Sequence, residues 1–244
     1  MFTVYPLGDS GIKIDFGNEI SPQKNRSIHA YGKKLKEDIK EIIEVVPTYN
    51  SLSLFFLPQK GKYDEIVSNV HGVLKDPLVV EETVQSEIIF LPTLYGGDVG
   101  TDLDRIAEVN QITIEDVIKI HSERDYFIYM MGFLPGFPYL GGMSKKISAP
   151  RLEEPRLKVA AGSVGIANEQ TGLYPIESPG GWNIIGRMPV PLFNPQSNEP
   201  FLLKAGSYIR FIPVGEDEYS QIQHEIEKGT YIVEREVYID GKTN

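Results

Sequence analysis

Arg187 stands five residues after Trp182, the single tryptophan of the chain, and Trp182 directly follows Ser178-Pro179-Gly180-Gly181. A guanidinium offers a planar fork of N–H donors, and a glycine-rich turn can turn backbone N–H groups toward the same point. Together they make a pocket for a carboxylate or a phosphate. A plainer reading also stands: Pro-Gly-Gly is a hairpin turn, Trp182 is core, and Arg187 caps a strand end. Upstream, Gly132-Phe133-Leu134-Pro135-Gly136-Phe137-Pro138-Tyr139 is either a ligand lip or a tight barrel corner. Glycine permits close backbone approach and proline fixes φ, so this density of both specifies loop shape. His121 closes an expected helix, where a protonated imidazole would suit the C-terminal dipole.

Charge supports an anion site in this region. The net charge is −10, which argues against nucleic acid as a partner, since phosphate contacts need a positive surface. Lys and Arg number 10 against 12 Asp and Glu in residues 1–85, 3 against 9 in 86–144 and 5 against 9 in 188–244. Only residues 145–187 are positive, with 6 against 4, and they include Arg151 and Arg156. A basic centre in an acidic frame suits a small anion, and exposed salt bridges would give the same count.

Several chemistries lack their motifs. There is no Gly-x-x-x-x-Gly-Lys-Ser/Thr, and Gly8-Asp9-Ser10-Gly11-Ile12-Lys13 has the wrong spacing for a P-loop. No His-x-x-x-His or Glu-x-x-His cluster suggests a metal, so none is assigned. Ser163, in Gly162-Ser163-Val164-Gly165, is not the serine of a nucleophile elbow. The chain has no cysteine, which excludes a disulfide framework and suits a reducing cytoplasm. Met1 to Asp9 lacks the basic and apolar regions of a signal peptide, and no apolar run approaches the ~18–20 residues of a membrane helix. A cytoplasmic protein without a membrane partner is expected.

The elements that must position these residues divide in two. Val4–Phe16 reads as one half-buried strand. Ser21-Pro22 is an N-cap before a first-turn proline, and Ile28, Tyr31, Leu35 and Ile39 follow at helical spacing. Ile42–Val46 and Leu52–Leu57 read as strands, Lys62–Leu74 as a helix, and Leu78–Glu82 as a short strand. The order βαββαβ is the ferredoxin-like pattern, and His29 and His71 within its helices are read as structural. The polar stretch Glu81–Ser86 marks a boundary, with domains expected at 1–84 and 86–244. Beyond it come helices at Asp102–Val109 and Ile114–His121, the second opened by Thr113 and Asp116 as a capping box. Short strands follow at Phe127–Met131, Gly162–Ala167, Trp182–Arg187, Phe201–Leu203, Tyr208–Pro213 and Tyr231–Glu236, with a helix at Glu218–Lys228. Many short strands between Gly/Pro turns argue a closed barrel or a sandwich.

Beyond these patterns the chain resembles the KipI/PxpB family, also called allophanate hydrolase subunit 1 or the carboxyltransferase C/D-type domain. The resemblance rests on Tyr5-Pro6-Leu7-Gly8-Asp9-Ser10, Val46-Pro47-Thr48-Tyr49, Tyr95-Gly96-Gly97, Asp102-Leu103, His121-Ser122, Met131–Leu140 and the long Ala161–Arg187 run. It departs from the family pattern at Asp98, Thr101, Ala160 and Met188, where Glu, Pro, Pro and Thr are usual. The resemblance implies an α+β chain: a ferredoxin-like N-terminal domain and a C-terminal cyclophilin-like β-barrel. It implies the B component of an ATP-dependent 5-oxoprolinase, with the C and A components of that enzyme as partners and ATP bound by the complex. Inhibition of a sensor histidine kinase is the alternative it carries. A third reading, handling biotin as a carboxylase partner, would need a carrier elsewhere, since no biotinylated Met-Lys motif is present.

On that reading Arg187 and the amides of Gly180 and Gly181 hold an anionic group of the substrate. His121 and Asp98 act as acid–base or orienting groups. Phe133, Phe137, Tyr139 and Trp182 wall the site, and Arg151 and Arg156 serve the same anion or an interface. Pro135, Gly136, Ser163, Gln170, Thr171, Tyr174, Ser178 and Pro179 complete the expected binding set.

Overall fold

The protein is described by a computed structural model covering residues 2–75 and 85–239. By internal contacts the chain divides into two compact units, residues 1–84 and 85–244.

In the first unit the strand expected over Val4–Phe16 is a hairpin of two, β1 (Thr3–Pro6) and β2 (Gly11–Asp15). The break falls at Gly8, whose φ of 65° is the left-handed conformation a tight turn needs. Helix α1 (Pro22–Asp38) begins as the Ser-Pro signal predicts, Ser21 Oγ accepting from the Lys24 N–H at 3.3 Å. Strands β3 (Ile42–Pro47) and β4 (Ser51–Phe56) and helix α2 (Tyr63–Lys75) follow. The sheet order is β1-β2-β4-β3 with every neighbour antiparallel. Thus β2 and β3 run parallel with β4 between them, a split β-α-β spanned by α1. The strand expected near Leu78–Glu82 lies outside the described residues. Alternation within β2 and β4 drives the packing: Ile12, Ile14, Leu52, Leu54 and Phe56 point to one face and meet Ile28, Leu35, Ile66 and Val70 from the helices.

The second unit is a nearly closed barrel. Its strands are β5 (Gln85–Tyr95), β6 (Tyr126–Met131), β7 (Pro138–Gly141), β9 (Ser163–Ala167), β10 (Gln170–Leu173), β12 (Asn183–Arg187), β13 (Tyr208–Pro213) and β14 (Arg235–Ile239). They lie in the order β10-β9-β12-β5-β13-β6-β7, with β14 also on β5. The end strands β10 and β7 come back together, which nearly closes the ring. A separate two-stranded ribbon pairs β8 (Arg156–Val159) with β11 (Ser178–Gly180). Helices α3 (Leu103–Asn110) and α4 (Ile114–Ser122) add Leu103, Ile106 and Val117 to the core formed by Ile89, Leu91, Val164, Ile166, Ile209 and Phe211. The capping box at α4 is present: Thr113 Oγ1 accepts from the Asp116 N–H at 3.1 Å, and the Thr113 N–H donates to Asp116 Oδ2 at 3.4 Å. Helix α5 (Glu216–Glu227) lies between β13 and β14 in the chain.

Three strand expectations need correction. Phe201–Leu203 is not a strand; Phe201 makes an isolated bridge to Phe193. The last strand starts at Arg235 rather than Tyr231, because the chain first passes beside β5, where the Phe90 N–H donates to the Glu234 carbonyl at 3.1 Å. The Ser178-Pro179-Gly180 segment is strand β11 and not a turn, since it pairs with β8.

Candidate functional site

Four of the residues singled out from the sequence converge on one cleft of about 160 Å³: Asp98, Arg156, Ser163 and Arg187. Asp98 enters from the short 3₁₀ turn Gly97–Val99 that follows β5, Arg156 from β8, Ser163 from the start of β9 and Arg187 from the end of β12. Register brings the last two together, because Arg187 pairs directly with Ser163 across the β9–β12 ladder. Thr101 and Lys158 also line the cleft.

Ion pairing separates the roles of the three cations. Arg156 Nη2 meets Asp102 Oδ1 at 2.7 Å, and Asp102 Oδ2 accepts the Ile184 N–H at 2.6 Å. Asp102 is buried and fixes Arg156 while neutralising it. Lys158 pairs with Glu177 at 3.1 Å on an exposed surface, an interaction of small net effect. Arg187 has no carboxylate within ion-pair distance among the described residues. Its Nε donates to the Ala161 carbonyl at 2.9 Å, which orients the guanidinium and leaves its two terminal nitrogens for an oxyanion.

Gly162 makes this arrangement possible. Its φ is +80°, and a Cβ there would come within 2.3 Å of the Met188 carbonyl oxygen and 3.5 Å of Arg187 Cγ. Its N–H donates to the Tyr174 carbonyl at 2.7 Å, and its carbonyl accepts the Met188 N–H at 2.9 Å. Gly162→Ala is expected to lower stability by about 1–3 kcal/mol through backbone strain, and by more if Met188 is displaced. A thermal melt indistinguishable from wild type would show that the backbone here can relax freely.

His121 is elsewhere. It is fully buried, its ring 4.5 Å from that of Phe211. Nε2 lies 2.8 Å from Thr171 Oγ1, and Nδ1 lies 2.8 Å from the Tyr95 hydroxyl. Thr171 spends its single proton on the Gly165 carbonyl at 3.1 Å, so it accepts from Nε2–H, and Nδ1 accepts from Tyr95. The imidazole is therefore neutral, and burial pushes its pKa down to about 3. The expectation of a protonated helix-end histidine is corrected: desolvation outweighs the helix dipole.

The remaining expected residues form packing clusters. Gly180 is small because a Cβ would meet the Tyr174 hydroxyl at 2.2 Å, a tighter reason for glycine than amide exposure. The Gly181 carbonyl accepts the Leu152 N–H at 2.8 Å. Trp182 packs with Val159, Tyr174 and Ile184 and over Gly172, with the Arg151 guanidinium 5.9 Å from its ring centre. Gly132–Phe137 is the tight corner between β6 and β7, closed by the Gly132 N–H donating to the Phe137 carbonyl at 2.7 Å. Gly136 turns it with φ +81°, while Phe133 is 88 % exposed at the tip beside the exposed Pro135. The Phe137 ring sits 5.4 Å from Tyr139 and 6.3 Å from Tyr174. Gln170 opens the β9–β10 hairpin opposite Ala167, and Ser178 pairs with Val159 on the ribbon. None of these lines the Arg187 cleft.

Two contributors were missed in the sequence. Lys158 carried a signal, since Arg156 and Lys158 lie two apart and share a face once β8 is recognised as a strand. Asp102 lay in the Asp102-Leu103 match to the family and at the start of a helix, but its pairing with Arg156 and Ile184 was not readable, because both partners are more than 50 residues away.

Residues 2–203 match the family described as "Carboxyltransferase domain, subdomain C and D", and the chain belongs to that family. Within it the chain falls with the KipI/PxpB proteins. It is 41% identical to the B subunit of 5-oxoprolinase from Bacillus subtilis over 92% of this chain and 98% of that protein. It is 37% identical to the protein of the same name from Haemophilus influenzae, covering 87% and 98%. Among solved structures it is similar to a conserved uncharacterized protein of Pyrococcus horikoshii, with 44% identity, 89% and 100% coverage and a TM-score of 0.53. The Kluyveromyces lactis urea carboxylase shares the fold, with a TM-score of 0.80 at 20% identity over 98% of this chain. The chain spans only 24% of that much longer protein, and 40% of another solved chain that it matches at 30% identity. Among the described residues no helix is long and apolar enough to cross a membrane, and no group of three or more acidic or histidine side chains could hold a metal ion.

Proposed function

We propose that this chain is the B component of an ATP-dependent 5-oxoprolinase, which opens 5-oxoproline to L-glutamate, and that it holds the substrate carboxylate through Arg187. The observation that carries the reading is the Arg187 guanidinium, without a carboxylate partner among the described residues, in a small cleft of a chain 41% identical to a 5-oxoprolinase component. A volume of about 160 Å³ is below the roughly 300–1,000 Å³ of a drug-sized ligand site, so it suits one small acid. It does not fit a nucleoside triphosphate, and no step on these residues runs through the nucleotide. ATP in the assembled enzyme supplies the free energy that an uphill lactam opening requires.

The work of the cleft residues is binding and orientation. Arg187 takes the carboxylate in a two-pronged contact. Arg156 is neutralised by Asp102 and Lys158 is paired with Glu177, so Arg187 is the uncompensated cation of the cleft among the described residues. Asp98, a carboxylate without an ion pair among the described residues, orients a substrate N–H. Holding the ring by its carboxylate fixes where the lactam carbonyl lies relative to groups contributed by the C and A components, which is where an entropic advantage arises.

The purified chain alone should therefore show no 5-oxoproline-dependent ATP hydrolysis. Mixing with the C component should give a stable complex, and adding the A component should give turnover. Turnover by the single chain would refute the shared site. A chain that ignored the C component yet blocked autophosphorylation of a sensor histidine kinase would replace the enzyme reading with the inhibitor one.

A further inference from the structure

On the side of the barrel carrying α5, alternation along two parallel neighbours breaks the usual rule. In β5, Ile89 and Leu91 point into the core; in β13, Ile209 and Phe211 do. On the outer face β13 carries one charged residue, Arg210, but Phe90 and Pro92 of β5, Ile212 of β13 and Val214 just beyond it line that face where a solvated sheet would carry polar side chains. Helix α5 covers this face only in part. It buries Tyr219 and Ile222 and leaves Ile212 36% exposed. What remains is a groove of about 450 Å³, walled by α5 on one side and by the Tyr231–Glu234 segment on the other.

The rim of this groove has one sign. Glu218 and Glu225 stand on α5 and Glu234 on the opposite wall, and among the described residues no Lys or Arg lines the groove. None of the three glutamates has an ion-pair partner among the described residues. The nearby cation Arg210 lies over the Phe90 ring at 5.7 Å, and its charge is met by Asp125 at 2.6 Å. Tyr231 lines the groove with all three, and its hydroxyl pKa is raised by burial first and then by Glu225, Glu234 and Glu218. An apolar floor under like charges is complementary to an occupant that is apolar on one face and cationic on its edges.

We propose that this groove docks a basic amphipathic segment of a partner protein, its apolar side chains on Phe90, Pro92, Ile212 and Val214 and its lysines or arginines against Glu218, Glu225 and Glu234. The groove shares no lining residue with the Arg187 cleft, so the proposal stands independently of the substrate reading.

A Leu/Lys amphipathic peptide and its Leu/Glu counterpart, titrated against the full chain by fluorescence anisotropy, test it. The Leu/Lys peptide should bind and the Leu/Glu peptide should not. Glu218→Gln/Glu225→Gln/Glu234→Gln should weaken binding roughly tenfold, since three rim charges are lost. Asp64→Asn/Glu65→Gln/Glu37→Gln, which removes three charges from the other unit, should leave it unchanged. Ile212→Asp should also abolish binding, with the thermal melts of all variants compared to confirm folding. Equal weakening by both triple variants would reduce the effect to net charge and overturn the proposal. Insensitivity to Ile212→Asp would make the apolar floor irrelevant and do the same. Concentration-dependent dimerisation blocked by Ile212→Asp would assign the groove to a second copy instead.

Discussion

Arg187→Ala is expected to lower kcat/KM of the assembled enzyme for 5-oxoproline by about 10²–10³-fold while the chain stays folded. The factor is that for loss of one charge-assisted donor in a preorganised site, ~2.7–4 kcal/mol. An Arg187 serving only as a surface charge would account for ~0–1 kcal/mol and leave turnover nearly intact. Structure favours the larger figure, because the guanidinium is held by the Ala161 carbonyl at 2.9 Å and has no carboxylate partner among the described residues. The stability cost of the substitution should stay near ~0.5–1.5 kcal/mol, the net contribution of that single hydrogen bond. Arg187→Lys should recover only part of the activity, because lysine keeps the charge and loses the planar fork.

The second large effect is on stability and involves His121. Its folded pKa of about 3 lies below the ordinary value of 6.5, so the unfolded chain takes up a proton that the folded chain refuses. The contribution is complete above about pH 6.5 and falls as the pH drops from there toward about 3. For this one group the loss reaches about 2 kcal/mol by pH 5 and steepens to about 1.4 kcal/mol per pH unit. His121→Leu should remove that pH dependence. It should also cost about 3 kcal/mol or more at neutral pH, because the Tyr95 and Thr171 hydroxyls each lose a buried partner. Urea denaturation of both proteins between pH 7 and pH 5 measures the two slopes. Parallel slopes would mean that His121 titrates normally in the folded protein and that the buried neutral tautomer is wrong.

The same histidine shows what was legible in the sequence and what was not. Its helix was readable from periodicity and from Thr113 and Asp116, and the cap is present as expected. The fate of its side chain was not readable, because Tyr95 and Thr171 lie 26 and 50 residues away and only barrel closure brings them together. The first unit repeats the lesson. Alternation located β2, β3 and β4, but it could not show that β1 and β2 are separate strands, since both sides of the turn alternate alike.

Local glycine chemistry misled where packing, not backbone freedom, was the constraint. Gly180 looked like a turn residue and is a strand residue pressed against Tyr174. Missing β8 then hid Lys158. The cleft itself was half visible: Arg187 and Arg156 stood out by type and spacing, Asp98 and Ser163 came only with the family resemblance, and β-sheet register decided which of the candidates meet.

The most direct test of the account pairs Arg187 with the group it is said to hold. Wild-type and Arg187→Ala enzymes, each assembled with the C and A components, are compared on 5-oxoproline and on 2-pyrrolidinone, the same lactam without the carboxylate. If Arg187 holds the carboxylate, the substitution and the missing group remove the same interaction, and their effects do not add. Arg187→Ala should then reduce lactam-dependent ATP hydrolysis steeply with 5-oxoproline and leave the already low rate with 2-pyrrolidinone unchanged. An equal fractional loss on both lactams would place Arg187 away from the carboxylate and contradict the account.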